Sequence, residues 1–268
     1  MIVVTTRLVL AGALVAGASL AAAVIGAAPQ VASPQSVVVV ELFTSEGCSS
    51  CPPADALLME LVGKQPVKGA LIAGLSEHVT YWDQQGWKDP FSDAGFTARQ
   101  SEYRAAMELP DIYTPQMIVD GVREFAGHDR AAAIAAIARA AATSKPAVQL
   151  SWAAGRPAPP ESRAQPLSLD VRINQQPKSA GAPVFLAIVE DGLSSAVKRG
   201  ENGGRTLTHA AVTRRLLQIG TADPNGAFQK AVPIDLKPSW NRPALRVIVF
   251  VQARRAGPIV AAGTIGLL

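Results

Sequence analysis

The sequence is poor in the side chains that most often build catalytic and metal sites. Its 268 residues include two cysteines and three histidines, and no histidines have the spacing of paired metal ligands. It contains no Gly-x-Ser-x-Gly motif and no convincing pair of carboxylates. No feature of the sequence therefore supports a hydrolase, and we assign neither a metal site nor a cofactor.

Charged and aromatic residues are also sparse. They make up 17% and 5% of the chain, and the formal net charge is +4. There is no long run of basic residues and no basic stripe interleaved with aromatic residues, so we expect no nucleic-acid partner. A hydrophobic content of 49% is typical of a globular protein, and the length is sufficient for two ordinary domains.

The N-terminal segment has the pattern of a bacterial secretory signal peptide. Residues 1–7 carry one positive charge and no acid, and residues 8–28 are apolar and rich in Ala and Gly. Small-x-small cleavage sites end at Ala23 and Ala28, and Pro29 weakens the second. An uncleaved membrane anchor is the alternative, because the apolar run is about long enough to span a bilayer. We predict a signal peptide over residues 1–28 and an exported protein, periplasmic or secreted, that contacts the membrane only through this segment if it is uncleaved.

Both cysteines belong to one motif, Cys48-Ser49-Ser50-Cys51, between a strand-like run at 37–43 and a plausible helix at 54–62. This order is typical of a dithiol redox site, because the amides and the dipole of the helix start favour a thiolate on Cys48. Cys51 is close enough to form a disulfide or to resolve a mixed one. Exported cysteine pairs are usually structural disulfides, but this pair closes almost no loop, which favours chemistry.

The first half of the chain alternates strands and helices, and its opening strand, helix and strand form a βαβ unit. An insertion rich in aromatic residues follows over residues 82–109. The predicted elements are strands at 37–43, 70–75, 113–119 and 122–125 and helices at 54–62, 93–109 and 129–142. Asp120-Gly121 is a strong hairpin-turn signal. We predict an α/β domain over residues 37–145 with a helical insertion.

The second half shows short strands and no clear helix. The strand-like runs lie at 147–152, 167–173, 184–189, 206–219, 228–236, 245–252 and 259–267. Turn signals separate them, and Leu167, Leu169, Val171 and Ile173 alternate as in a half-buried strand. We predict an all-β, sandwich-like domain over residues 146–268.

Several longer motifs carry a resemblance to a known family. A Cys-x-x-Cys after a strand and a Thr-Pro before the next hairpin resemble the thioredoxin superfamily. The motifs at residues 41–55, 78–83, 86–92 and 204–209 resemble a secreted bacterial thioredoxin-like family of unknown function, and the likeness covers most of residues 37–268. It implies that Cys48 is the attacking thiolate and Cys51 the resolving thiol. It also implies that Pro115 is a cis-proline and that Thr114 offers backbone groups to a substrate strand.

Two departures from the superfamily concern the environment of the dithiol. Thioredoxins carry a buried acid six residues before the first cysteine, where this chain has Leu42. Glu41 is one residue further back and is either the proton acceptor for Cys51 or a strand acid paired elsewhere. The insertion after Trp82 is longer than in a minimal thioredoxin and is expected to cover the dithiol.

Two other side chains are candidates for tuning the site. Glu46 either raises the pKa of the Cys48 thiol by its charge or is a solvated loop acid. His78 follows the second strand, at the edge of the sheet where active-site loops gather, and is a ligand, a neighbour of the redox site or a structural residue. His209 falls in a predicted strand of the second domain and receives no chemical role.

The function predicted from the sequence is that of an exported thiol–disulfide oxidoreductase. Its expected partners are thiols or disulfides of proteins or small molecules, with a possible redox partner protein. Two alternatives remain open. One is a metallochaperone that holds Cu(I) through Cys48, Cys51 and His78, since thiolates suit Cu(I). The other is a binding protein with a vestigial dithiol, in which the β-domain docks a partner.

Overall fold

The computed structural model describes residues 1–3, 35–153, 167–174 and 179–267. Apart from its first three residues, the predicted signal peptide lies outside the described ranges. No helix within these ranges is long and apolar enough to cross a membrane.

The first half has the predicted order β-α-β-α-β-β-α. Its strands are β1 (Ser36–Thr44), β2 (Ala70–His78), β3 (Gln116–Val119) and β4 (Arg123–Ala126), and its helices are α1 (Pro52–Lys64), α2 (Ala94–Ala106) and α3 (Arg130–Ala142). Asp93 and Asp129 cap α2 and α3, where their carboxylates accept hydrogen bonds from the first-turn amides of Gly95 and Ala132. Asp120 and Gly121 both have positive φ, as the predicted hairpin turn requires.

Within the described residues the second half consists mainly of strands, and it contains a short 3₁₀ turn at Arg242–Ala244. The strands are β5 (Gln149–Trp152), β6 (Leu167–Ile173), β7 (Pro183–Glu190), β8 (Leu193–Ala196), β9 (Thr206–His209), β10 (Val212–Thr221), β11 (Phe228–Ile234), β12 (Leu245–Gln252) and β13 (Ile259–Gly266). The strand expected over residues 206–219 is two strands, because Ala211 has a φ of 54° and breaks the extended run. The short strand β8 was missed, because its four residues show little strand character.

Strands from both halves form one eight-stranded sheet in the order β13-β12-β7-β10-β2-β1-β3-β4. The halves join where β10 runs parallel to β2, with Val212 opposite Ser76. The amide of Ser76 also donates to the carbonyl of Ala211 at 2.8 Å. The boundary expected at residues 145/146 therefore does not separate two sheets, since this pairing joins segments that are distant in the chain.

Hydrophobic side chains pack on both faces of the large sheet. Val38, Val40 and Leu42 of β1 pack against α1 and α3. On the opposite face, Phe43 packs against Tyr103 of α2. The second half has two layers, in which the separate sheet β11-β6-β5 covers one face of β7 and β12. Four strands of the second half, β7, β10, β12 and β13, thus continue the sheet of the first half.

Candidate redox site

The Cys48–Cys51 motif occupies the loop between β1 and α1. The two cysteines form a disulfide, and their Cα atoms are 5.4 Å apart. Cys51 is the N-cap residue of α1, and its carbonyl oxygen accepts a hydrogen bond from the Ala54 amide at 2.8 Å. Pro52 and Pro53 suit the first turn, where the missing N–H removes no helical hydrogen bond. The predicted position of the cysteine pair at a helix N-terminus is therefore observed.

Both cysteines are fully buried, whereas Ser49 and Ser50 between them are exposed. Trp82, the first residue of the insertion, lies against the motif: a Cβ atom added to Gly47 would be 3.1 Å from the Trp82 Cβ. Glycine at position 47 thus permits this close approach. The insertion contacts the dithiol loop, as the sequence led us to expect.

A segment of the second half also covers the motif. We call residues 197–205, which connect β8 to β9, the covering loop. The Asn202 side-chain amide donates to the carbonyl oxygens of Glu46 and Cys48, each at 2.9 Å. Glu201 accepts a hydrogen bond from the Ser49 amide at 2.9 Å. Hydrogen bonding to the Ser49 side chain, and also to its amide, lowers the pKa of the Glu201 carboxyl group. Arg205 fixes the Asn202 side chain by donating to its Oδ1 at 2.7 Å. No local sequence pattern indicated that this loop reaches the dithiol.

Glu46 is buried beneath the motif and is not a solvated loop acid. Its Oε2 accepts a hydrogen bond from the Trp87 indole at 2.8 Å. Its Oε1 lies 3.1 Å from Nε2 of His209. The carboxylate two residues before Cys48 is therefore held by the insertion on one side and by β9 on the other.

Asp55 is a second buried carboxylate beside the dithiol. It follows Cys51 by four residues, so the two side chains share one face of α1. Its Oδ1 accepts a hydrogen bond from Thr44 at 2.9 Å, and its Oδ2 lies 3.9 Å from Nδ1 of His209. Burial raises the pKa of Asp55 despite the opposing effect of His209. A proton-binding group thus lies one helical turn from Cys51.

His78 pairs with an acid from the insertion. Its Nδ1 lies 2.7 Å from Oδ2 of Asp89, and the Glu46 amide donates to the same oxygen at 2.7 Å. Burial disfavours the charged imidazole, but Asp89 outweighs this effect and the pKa of His78 is raised. Burial likewise opposes ionisation of Asp89, but His78 lowers its pKa below the usual value. The His78 and His209 ring centroids are 4.9 Å apart, so His78 neighbours the acids of the redox site.

Glu41 is not brought to the dithiol. Leu42 faces α1, so the preceding side chain points to the opposite face of the sheet, where α2 lies. Both Glu41 carboxylate oxygens are occupied there, by the Arg99 Nε at 2.5 Å and by the Tyr103 hydroxyl at 2.6 Å. Glu41 is therefore a strand acid that is paired elsewhere, which was one of the two alternatives. The geometry does not support the other alternative, a proton acceptor for Cys51.

Thr114 and Pro115 lie just before β3, and the peptide bond between them is cis. The Thr114 hydroxyl accepts a hydrogen bond from the Trp82 indole at 2.8 Å. A Cβ atom added to Gly127 would be 3.1 Å from the Pro115 Cβ and 3.0 Å from the Ala54 Cβ. Pro115 therefore lies near the first turn of α1, on the same side as the dithiol.

A comparison with protein families shows which family this chain belongs to. A family model described as "Protein of unknown function (DUF1223)" matches residues 39–252. The chain belongs to the DUF1223 family. The match includes Cys48, Cys51, Asn202 and His209, so it spans every residue of the site described above.

Two solved structures are similar in fold to this member of the DUF1223 family. A structural-genomics protein from Agrobacterium tumefaciens is 25% identical with a TM-score of 0.67, over 88% of this chain and 97% of that one. HBP35 of Porphyromonas gingivalis is 16% identical with a TM-score of 0.60, over 88% of this chain and 76% of that one. A search of curated proteins found no match.

Sequence reasoning missed part of the site of this DUF1223 protein. Asp55 could have been found from its four-residue spacing to Cys51. His209 ends the motif at residues 204–209 that contributed to the family resemblance. No local pattern, however, indicated that this motif lies beside the cysteines. Asp89 and Asn202 had no signal beyond their polar side chains. Their roles depend on contacts between distant segments.

Proposed function

We propose that this protein is an exported thiol–disulfide oxidoreductase with a thioredoxin-like first half. The observation that carries the proposal is the Cys48–Cys51 disulfide at the N-terminus of α1, surrounded by buried ionisable side chains. The order of strands β2-β1-β3-β4 and the position of Pro115 beside α1 support the thioredoxin-like assignment. The apolar segment at residues 8–28 supports export.

The proposed cycle begins from the observed disulfide. A substrate thiolate attacks Sγ of Cys48, the Cys48–Cys51 bond breaks, and Cys51 leaves as a thiolate. A second substrate thiolate then attacks the substrate sulfur of the mixed disulfide and releases the Cys48 thiolate. The substrate pair is oxidised to a disulfide while Cys48 and Cys51 gain two electrons. The reverse sequence reduces a substrate disulfide, with Cys51 as the resolving thiol.

Asp55 is the proposed proton donor and acceptor for Cys51. A thiolate formed in a buried site is poorly solvated, so a nearby proton stabilises it as a thiol. Asp55 shares a helix face with Cys51, and burial raises the pKa of Asp55, which makes its carboxylate a stronger proton acceptor. His209 lies between Asp55 and Glu46 and interacts with both carboxylates.

The expected substrates are thiols or disulfides of small molecules or of flexible protein segments. Both cysteines are buried and the insertion and the covering loop contact their loop. A rigid protein surface therefore has no direct access to either sulfur. Exchange with a rigid, folded protein substrate requires displacement of the covering loop.

The decisive experiment equilibrates the mature protein with glutathione or dithiothreitol buffers and traps free thiols. A reduction potential of about −120 to −180 mV would place the protein with oxidants and isomerases, and one near about −270 mV with reductants. Cys51→Ser should accumulate a mixed disulfide on Cys48, and Cys48→Ser should not. Failure of the pair to exchange with any small thiol would overturn the proposal.

The proton role of Asp55 has its own test. Asp55→Asn should slow exchange at neutral pH by about a hundredfold or more, in line with the effect of losing a general acid or base. Glu60→Gln, on the same helix and paired with Arg130 at the surface, is the matched control. Equal rates for the two variants would exclude Asp55 from the reaction.

The two alternative functions lack a specific supporting observation. Within the described ranges, no group of three or more His, Cys, Asp or Glu side chains is arranged to hold a metal ion. Anaerobic Cu(I) titration of wild type and His78→Ala separates copper binding from redox chemistry. A vestigial dithiol predicts that Cys48→Ala/Cys51→Ala retains full activity in the cell.

A further inference from the structure

A cleft on the face of the large sheet that carries α2 lies between this helix and β10. Its volume is about 730 Å³, within the range typical of small-molecule sites. Apolar side chains form much of its walls, among them Phe96, Phe185, Leu216 and Trp240. A smaller pocket of about 150 Å³ adjoins it and shares Arg214, Trp240 and Lys237 with its lining.

Arg214 is held at the junction of the two cavities by aromatic rings. The central carbon of its guanidinium lies 5.4 Å from the centre of the Trp240 ring and 5.6 Å from that of Phe91. Its nearest carboxylate is that of Glu190, with Nε and Oε2 3.5 Å apart. The other Glu190 oxygen accepts a hydrogen bond from the Asn241 amide at 2.8 Å. Arg214 is thus fixed in orientation but is poorly matched to its acid.

The guanidinium of Arg214 makes no hydrogen bond to any described residue. A planar guanidinium presents a fork of N–H donors that fits a carboxylate, and stacking between rings orients that fork before a ligand arrives. The stacked geometry therefore favours recognition of an anion over a purely structural ion pair.

Further donors lie around Arg214 without acceptors. The Trp240 indole N–H and the Thr213 hydroxyl are buried and have no hydrogen-bond partner among the described residues. An indole N–H can only donate, so an anion would satisfy it. Lys237 is exposed at the rim and forms no ion pair within the described part of the chain. This end of the cleft therefore carries donors without acceptors, beside Oε2 of Glu190, a buried acceptor that also has no hydrogen-bond partner among the described residues.

The acids that line the cleft each have a partner other than Arg214 and Lys237. Asp93 caps α2 through the Gly95 amide at 2.7 Å. Glu102 pairs with Arg255 at 2.7 Å, and Asp235 lies 3.7 Å from Arg215. Arg99 pairs with Glu41 beneath the cleft. Lys237 has no acid partner among the described residues, and the Glu190 carboxylate lies 3.5 Å from Arg214 without accepting a hydrogen bond from it. The N–H donors of both side chains are therefore free for an anion.

We propose that this cleft binds a small organic anion. Its carboxylate, or a comparable oxyanion, is held by Arg214 and Lys237, and its apolar body lies along Phe96, Phe185 and Leu216. The polar end of the cleft supplies charge and the apolar walls supply the contact area. This site is separate from the Cys48–Cys51 disulfide, so the proposal does not depend on the redox function.

The proposal is tested by isothermal titration calorimetry of the mature protein. The ligands are sodium decanoate and 4-phenylbutyrate. We expect saturable binding of at least one of them with a stoichiometry near one. Decanol, which has the apolar body without the charge, and sulfate, which has charge without the body, should each bind at least about tenfold more weakly, since one charge-assisted hydrogen bond contributes about that factor.

Variants locate the site. Arg214→Gln and Lys237→Gln should both weaken binding, and Lys237 is exposed, so its replacement leaves folding intact. Arg139→Gln removes an exposed arginine on α3 and should bind as wild type does. Equal binding by wild type and both cleft variants would overturn the proposal, as would decanol or sulfate binding as tightly as decanoate, or no saturable binding of either organic anion.

Discussion

Nε2 of His209 lies 3.1 Å from Oε1 of Glu46, although 163 positions separate the two residues in the chain. The contact joins β9 of the second half to the loop that carries the cysteines. Oδ2 of Asp55 lies 3.9 Å from the other nitrogen of the same imidazole. The second half of the protein therefore supplies part of the ionisable environment of the disulfide.

The covering loop should control access to the disulfide. Asn202→Ala removes two hydrogen bonds to the carbonyls of Glu46 and Cys48, which should destabilise the closed loop by about 1–3 kcal/mol. We expect faster reduction by dithiothreitol, measured by trapping free thiols over time. Asn225→Ala, in an exposed turn, is the control. Unchanged reduction in Asn202→Ala would show that the loop does not limit access.

The indole of Trp87 should stabilise the buried carboxylate of Glu46. Trp87→Phe keeps an aromatic ring at this position but removes the donor at 2.8 Å, so we expect a loss of about 1–3 kcal/mol in the free energy of unfolding. Trp152→Phe removes an exposed indole hydrogen bond to the Gly266 carbonyl and should have a smaller effect. Urea denaturation measures the unfolding free energies of the two variants. Equal losses would show that burial does not increase the contribution of the Trp87 hydrogen bond.

The His78–Asp89 pair should make stability depend on pH. The raised pKa of His78 gives a contribution that is complete below about pH 6.5 and is lost as pH rises through the folded-state value. The lowered pKa of Asp89 gives a contribution that is present above pH 3.8 and is lost as pH falls through its folded-state value.

Urea denaturation of wild type and His78→Gln across pH 5–9 checks this dependence. The stability advantage of wild type should be largest at the acidic end of that range and should shrink towards pH 9. His128→Gln, at an exposed position outside the ion pair, is the matched control. An advantage of wild type that grows with pH would contradict the ion pair.

Glu41 should affect stability and not redox chemistry. Glu41→Gln leaves the buried Arg99 guanidinium without its closest charge partner, which should destabilise the protein by up to about 3–5 kcal/mol. Glu102→Gln breaks the exposed pair with Arg255 and should cost at most about 1 kcal/mol. Thiol exchange by folded Glu41→Gln should match wild type, and a slower rate would restore the role expected from the sequence.

Local sequence patterns predicted the elements of the first half well. The Asp120–Gly121 turn and the Asp129 cap depend on conformations and hydrogen bonds within a few residues, so their signals are complete in a short window. The pairing of β10 with β2 has no such signal, because Val212 and Ser76 meet only after the intervening chain has folded. The shared sheet was therefore not predictable from strand patterns.

The sequence by itself determined that a cysteine pair stands at the start of a helix after a buried strand, because this arrangement depends on neighbouring residues. Tertiary structure decided that the pair is buried, that Glu41 turns away from it, and that Asp55, His209 and Asn202 surround it. The Asn202 hydrogen bond to Cys48 spans 154 positions. Contacts of that range arise from the packing of whole elements, so no local pattern specifies them.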